Sequence, residues 1–260
     1  MSESKKTILV IFIFFVFLSA LQAQQFNVLL FSKTEGYHHT AINEGVNALS
    51  KLAQKHFFTI DWQENSDIFS DEKLAQFDII IFLLTSGEIL NEQQQKAFER
   101  FIQSGKGFVG IHSASDTEYD WEWYTRLIGR MFYLHPPKQT ALLKVADYNF
   151  PGMSRMPKSF FWTDEWYQFT DEKTDSLNYL LTVDENSYNP YARSSNNGRE
   201  AKGMGEFHPV SWYHSFDGGR SFYTALGHIA ALYEDDLFLE HIYGGIYWAA
   251  TGKGVSKNKK

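Results

Sequence analysis

The 260-residue chain contains no cysteine. That absence excludes disulfides, a thiolate nucleophile, cysteine-ligated zinc and lipidation at a cysteine. Basic charge is also short: 24 Lys and Arg stand against 31 Asp and Glu, for a net charge of −7. Non-specific nucleic-acid binding needs a basic footprint, so nucleic acid is excluded as a partner. The only basic cluster, the lysines at 253, 257, 259 and 260, reads as a solvated, disordered tail over residues 253–260. Internal repeats and low-complexity tracts are missing. So are the HxxxH, HExxH and HxH spacings that mark metal sites on one element. Past residue 23 no hydrophobic stretch is long enough to span a membrane.

Aromatic residues, by contrast, are abundant at 17% of the chain, with 7 Trp, 14 Tyr and 23 Phe. They bury large areas, and they also line flat-ligand and carbohydrate clefts. The N-terminus carries Lys5 and Lys6, an apolar run from Ile8 to Leu18, and small residues ending at Ala23. This pattern predicts a secretory signal peptide over residues 1–23 and a periplasmic or secreted mature chain without a membrane span. A single domain over residues 24–252 is expected to follow.

Along that domain, strands and helices alternate. Residues 26–31 ("FNVLLF"), 57–62 ("FFTIDW"), 78–84 ("DIIIFLL") and 107–112 ("GFVGIH") read as strands. Between them, Ile42, Val46, Leu49, Leu52 and Ala53 recur at helical spacing, and Asn91 caps a helix that stops at Gly105. A helix rich in aromatics is expected near 121–131, a hairpin around Asp217-Gly218-Gly219, and a closing helix near 236–250. Residues 135–205, rich in proline and polar loops, read as irregular strands and loops inserted over the sheet edge. The alternation predicts a mostly parallel, doubly wound sheet, with the ligand site beyond the carboxyl ends of the strands.

Two turns then fall on that rim: "EGYHH" (35–39) and "HSASD" (112–116). His112, at a strand end among small residues, is a candidate base, acid or metal ligand. Ser113 is not a nucleophile elbow, because Ile111 and Ser115 stand where glycines are needed. Asp116 joins His112 as a candidate catalytic residue. Glu165, in "FWTDEWYQF", is a candidate carboxylate in an apolar cleft, and Asp164 competes for that role. His228 is a fourth candidate for catalysis. Gly36, Tyr37, His38, His39 and His214 are candidates for substrate binding. No cofactor is fixed by the sequence. Histidines with a carboxylate can hold a divalent ion such as zinc. However, adjacent histidines such as His38 and His39 rarely chelate together.

The blocks "FSKTEGYHHTAI", "GFVGIHSASDTEYDWEWYTRLIGRMFYLHP", "TDEWYQF", "HPVSWYHSFDGGRSFYTALGH" and "GGIYWA" together resemble the ThuA-like (trehalose utilisation) family, from about Asn27 to Thr251. The resemblance implies a class I glutamine amidotransferase-like, flavodoxin-like three-layer α/β sandwich. The strand end at "GIHSA" is then where an amidotransferase places its cysteine, and this chain has none, which removes glutamine hydrolysis. The family's motif positions here are Gly36, His38, His39, His112, Asp116, Glu165, His214 and His228. The implied chemistry is carbohydrate catabolism on a sugar, glycoside or 3-keto-sugar by general acid-base steps (elimination, hydration or isomerisation). Three roles stay open: a sugar-active enzyme, a non-catalytic carbohydrate-binding protein, or a hydrolase pairing Asp116 with Glu165.

Overall fold

Unbroken apolar runs fix the centre of the molecule. The computed structural model describes residues 24–255 except 194 and 197; the expected signal peptide and most of the expected tail lie outside the described residues. β1 (Asn27–Phe31), α1 (Ile42–His56), β2 (Thr59–Gln63), α2 (Asp71–Leu74), β3 (Ile79–Leu83), α3 (Glu92–Gln103), β4 (Gly107–Ile111) and α4 (Glu122–Ile128) follow one another in the expected alternation. β3 and β4 are buried at every position, as strands covered on both faces must be. The Asn91 side chain accepts from Gln94 N, and the Gln94 side chain accepts from Asn91 N, closing a capping box on α3.

Beyond α4 come β5 (Phe132–Leu134), β6 (Gln139–Val145), β7 (Ser159–Asp164), β8 (Gln168–Phe169), β9 (Asn178–Asp184), the short strands β10 (Ser195–Asn196) and β11 (Arg199–Glu200), the hairpin β12 (His208–Phe216) and β13 (Gly219–Thr224), and α5 (Asp236–Thr251). Nine strands form one sheet in the order β2-β1-β3-β4-β13-β12-β9-β6-β7.

The expectation of a mostly parallel sheet is corrected here. Pairings from β2 to β13 are parallel, whereas those from β13 to β7 are antiparallel. The two small sheets, β5-β8 and β10-β11, are antiparallel as well, so antiparallel pairings are in the majority. Residues 135–205 do not merely lie over the edge: they supply β6, β7 and β9, which extend the sheet. The physical reason is connection length and content. Parallel neighbours need a crossover, usually helical, and among the described residues no α-helix occurs between α4 and α5. Burial confirms the change of regime. β6 and β7 alternate between buried and open positions, with Phe161 73% exposed on β7.

The helices make the outer layers of a three-layer α/β sandwich. α1 and α5 contact each other on one face. On the other, Trp123 of α4 meets Phe98 of α3 with ring centroids 5.8 Å apart. α5 lies so close to the sheet that a Cβ on Gly107 would overlap the Ala249 carbonyl, and one on Gly245 the Phe222 ring. Four reversals of direction from β13 to β7 leave β7 pointing the same way as β4, so both strands end on one rim. The chain then doubles back: Phe169 of β8 sits 5.2 Å from the Trp212 ring and 6.2 Å from the Tyr223 ring.

His241 of α5 is fully buried against Ser211 Oγ (3.0 Å) and Met153 Sδ (3.2 Å). Burial pushes its pKa down to about 3. The unfolded chain therefore takes up this proton first, near 6.5, and the stabilisation from a neutral His241 is lost as pH falls from there toward 3. Between pH 7 and 5 this side chain is expected to cost about 2 kcal/mol. Urea titrations of His241→Gln should show a correspondingly shallower decline over that interval; an unchanged slope would refute the assignment.

Candidate metal centre and active site

Four chain segments deliver His39, His112, Glu165 and His228 to one point. Each offers a donor atom, and these atoms lie within 4.8 Å of one another. His39 follows β1, His112 follows β4, Glu165 follows β7 and His228 follows β13. The sharp turn at His112 is made by a left-handed backbone, φ 52°, an uncommon conformation for a side chain larger than glycine. It joins β4 to a short 3-10 helix over His112–Asp116.

Hydrogen bonds assign the protons. His112 Nδ1 faces only the Ala225 carbonyl oxygen, 2.7 Å away, so this nitrogen carries the hydrogen and donates. Its Nε2 is left as a lone pair turned into the cluster, where it accepts from the Tyr167 hydroxyl at 2.9 Å. His228 Nδ1 lies 3.2 Å from that same Nε2 and 3.2 Å from Glu165 Oε2. Two facing nitrogens share one proton, so His228 Nδ1 is the donor. His39 packs edge-on to both other imidazoles, and its Nδ1 lies 3.3 Å from Ser113 Oγ.

Electrostatics suits ligation. Burial, reinforced by His112 and His228, pushes His39 down to a pKa of about 2 and keeps it neutral. Burial opposes charge on Glu165, but hydrogen bonds from His135 and His228 outweigh it and hold the carboxyl well below the usual range. Neutral imidazoles and an ionised carboxylate are the protonation states a metal requires. Four ligands about 2.1 Å from a tetrahedral ion stand about 3.4 Å apart. A set already spanning 4.8 Å closes on an ion with small side-chain shifts. Three histidines and a glutamate, without sulfur, fit zinc and other divalent first-row ions.

A further carboxylate holds this set together. Asp164 is fully buried; its Oδ2 accepts from Gly227 N at 2.8 Å, and its Oδ1 from His228 N at 3.2 Å and Glu165 N at 2.9 Å. It thus joins the backbone of two ligand-bearing segments. His135 Nδ1 lies 2.9 Å from Glu165 Oε1 and fixes the far side of that carboxylate. Above the cluster opens a cavity of about 630 Å³, walled by Tyr37, Phe132, Tyr133 and Tyr167 and by Asp116, His135, Arg193 and Arg199. A larger cleft of about 670 Å³ lies between α1 and α5, away from these residues.

The structure places the sequence candidates unequally. His112, Glu165 and His228 meet, and His39 joins them as a potential metal ligand, not only as a substrate contact. Asp116 lines the cavity, accepts from the Tyr119 hydroxyl at 2.8 Å, and is pushed to a higher pKa by burial. Tyr37 lines it too, 62% exposed. Gly36 does not: its amide donates to Ser86 O, and a Cβ there would press on Ser86 Oγ, so the glycine serves close packing of two turns. His38 is turned outward and bonded to Thr34 Oγ1 at 3.0 Å, because the turn can direct only one of two adjacent histidines inward. His214 is buried within β12 against the Leu127 carbonyl (2.8 Å), a structural role remote from the cavity. Sequence reasoning passed over His135, Tyr167 and Arg199. His135 had one visible signal, the Pro136-Pro137 pair that stiffens the chain after it.

Comparison with known proteins bears on the whole chain. The model of the ThuA family, described as trehalose utilisation, matches residues 27–249. Among proteins of curated function none matches. A ThuA-like protein from Bacteroides uniformis superposes with a TM-score of 0.69 at 21% identity, covering 88% of this chain and 92% of that one. Another, from Parabacteroides merdae, gives 0.67 at 19%, covering 90% and 93%. A β-galactosidase from Bacillus circulans gives 0.52 at 15%, covering 85% of this chain but 30% of that one. These likenesses are of fold.

Zinc should bind with a stoichiometry of one, measured by calorimetry, with His228 taking the Nε2–H tautomer so that Nδ1 is free to ligate. Glu165→Ala and His112→Ala should abolish tight binding. Asp164→Asn, which touches no donor atom, should weaken it about tenfold or more. Undiminished zinc affinity in His112→Ala would exclude the cluster as the site.

Proposed function

The chain belongs to the ThuA (trehalose utilisation) family, and from that membership and the geometry of the cluster we propose that it is a metal-dependent enzyme of carbohydrate catabolism, acting on a glycoside or 3-keto-sugar by general acid-base chemistry. The observation that carries this reading is the convergence of three imidazoles and one carboxylate at the floor of a polar cavity large enough for a sugar. A divalent ion held by His39, His112, Glu165 and His228 would supply Lewis-acid polarisation of a sugar oxygen.

The protein groups supply the proton transfers. In a 3-keto-sugar the proton on C2 is acidic, and its removal drives loss of the group on C1. His135 donates through Nδ1 to Glu165, so its Nε2 is the open base at the cavity wall. Asp116 stands in the same cavity as a second carboxyl to return a proton to the departing oxygen. Tyr37, Phe132 and Tyr133 offer faces for sugar stacking. The same parts serve hydration or isomerisation of a keto-sugar.

The domain organisation belongs to this reading: a signal peptide over residues 1–23, removed on export to the periplasm or beyond, and one domain over 24–252 with an amidotransferase-like ancestry. His112, on the turn where that ancestry would place cysteine, supports this view. Among the described residues no helix is long and apolar enough to cross a membrane.

Incubation with α- and β-glucosides and their 3-keto forms, with products followed by mass, tests the proposal. We expect conversion of at least one keto-sugar, loss of at least a hundredfold in rate with chelator, recovery with zinc, and a kcat deficit of similar size in His135→Gln. Sugar binding without any conversion would overturn the enzymatic reading and leave a carbohydrate-binding protein on this fold.

A further inference from the structure

Proton transfer leaves part of the cavity lining unexplained. Arg193 and Arg199 both line the cavity. Neither makes an ion pair with another described residue, whereas seven other Lys and Arg side chains do. Arg199 is held in place: its guanidinium lies 5.5 Å from the Tyr119 ring centroid and 5.6 Å from that of Tyr133, and it donates to Tyr133 O at 3.0 Å. Aromatic faces and a carbonyl fix the fork, and its charge is felt by Asp116 without an ion pair between them. Asp116, the only acid lining the cavity besides Glu165, already accepts from Tyr119.

Charge counting sharpens the point. A divalent ion on the cluster leaves one positive charge after Glu165 is subtracted. The two arginines add two, and Asp116 removes one, for about two surplus positive charges in a cleft of a chain whose net charge is −7. Charges in a partly enclosed cleft are weakly screened and attract a counter-charge. A neutral sugar leaves them uncompensated.

We infer that the ligand of this cavity is a sugar derivative bearing an oxyanion, a carboxylate or phosphate, gripped by Arg193 and Arg199 while its reacting carbons lie over the histidine cluster. This rests on the function proposed above and narrows its substrate class. Guanidinium forks match both kinds of oxyanion with paired N–H donors.

Calorimetry on the zinc-loaded protein tests it with three probes: methyl glucoside, glucuronate and glucose 6-phosphate. At least one charged probe should bind tenfold or more tightly than methyl glucoside, with a preference that shrinks in high salt. The tighter of the two assigns carboxylate or phosphate. Arg193→Gln and Arg199→Gln should each remove most of that preference and Arg199→Lys retain part of it, with zinc affinity unchanged in all three as the check on folding and on the cluster. Equal or weaker binding of both charged probes overturns the inference, as does a preference that survives both glutamine substitutions. If neutral keto-glucosides are converted in that case, the proposed function stands without it. If every probe and keto-sugar is neither bound nor converted, both fall.

Discussion

One buried carboxylate sets the geometry of the rim. Asp164 receives backbone N–H groups from Gly227, His228 and Glu165, and so binds the end of β7 to the loop after β13. These segments lie far apart in the sheet order, with β12, β9 and β6 between their strands. That tie sets the His228 backbone against the Glu165 backbone, alongside the side-chain contact of His228 Nδ1 with Glu165 Oε2 at 3.2 Å. A carboxylate stripped of water is costly unless it is well bonded. Burial does push Asp164 above the usual range, and the bonds it accepts and the imidazoles nearby act against that push. The cost is placed where two halves of a mixed sheet must be held in register.

The cluster follows the same rule in reverse. Glu165 is also buried, yet three histidines around it favour its charge. The histidines are themselves neutral donors or lone-pair carriers, arranged by bonds to Ala225 O and Ser113 Oγ behind them. Such bonds on the far side of a ligand orient it and raise its basicity. Two acidic residues, Glu165 and Asp116, and two arginines, Arg193 and Arg199, line the one cavity.

Half of this arrangement was legible in the chain alone. "DIIIFLL" and "GFVGI" could only be buried strands, and the strand end at His112 followed from them. The antiparallel half was not legible as a continuation of the sheet. Alternation is present in β6, with Ala141 and Leu143 inward, but long polar loops separate the strands and nothing local names their partners. The same limit applies to side-chain direction. Sequence placed His38 and His39 on one turn but could not say which faced in. It left Asp164 and Glu165 as competitors, whereas β7 ends between them and gives each a separate task. His214 lay in a strand beside Trp212 and Tyr213, where burial against a neighbouring carbonyl outweighs exposure at the rim.

The left-handed backbone at His112 has an evolutionary corollary. Holding an L-residue there costs about 1–2 kcal/mol, a strain that glycine would not feel and asparagine would feel less. Backbone relief alone would favour those residues at position 112, but either would forfeit one donor of the four-residue histidine and glutamate set. In a homologue with the same turn, the residue at this position therefore reports whether that set is intact.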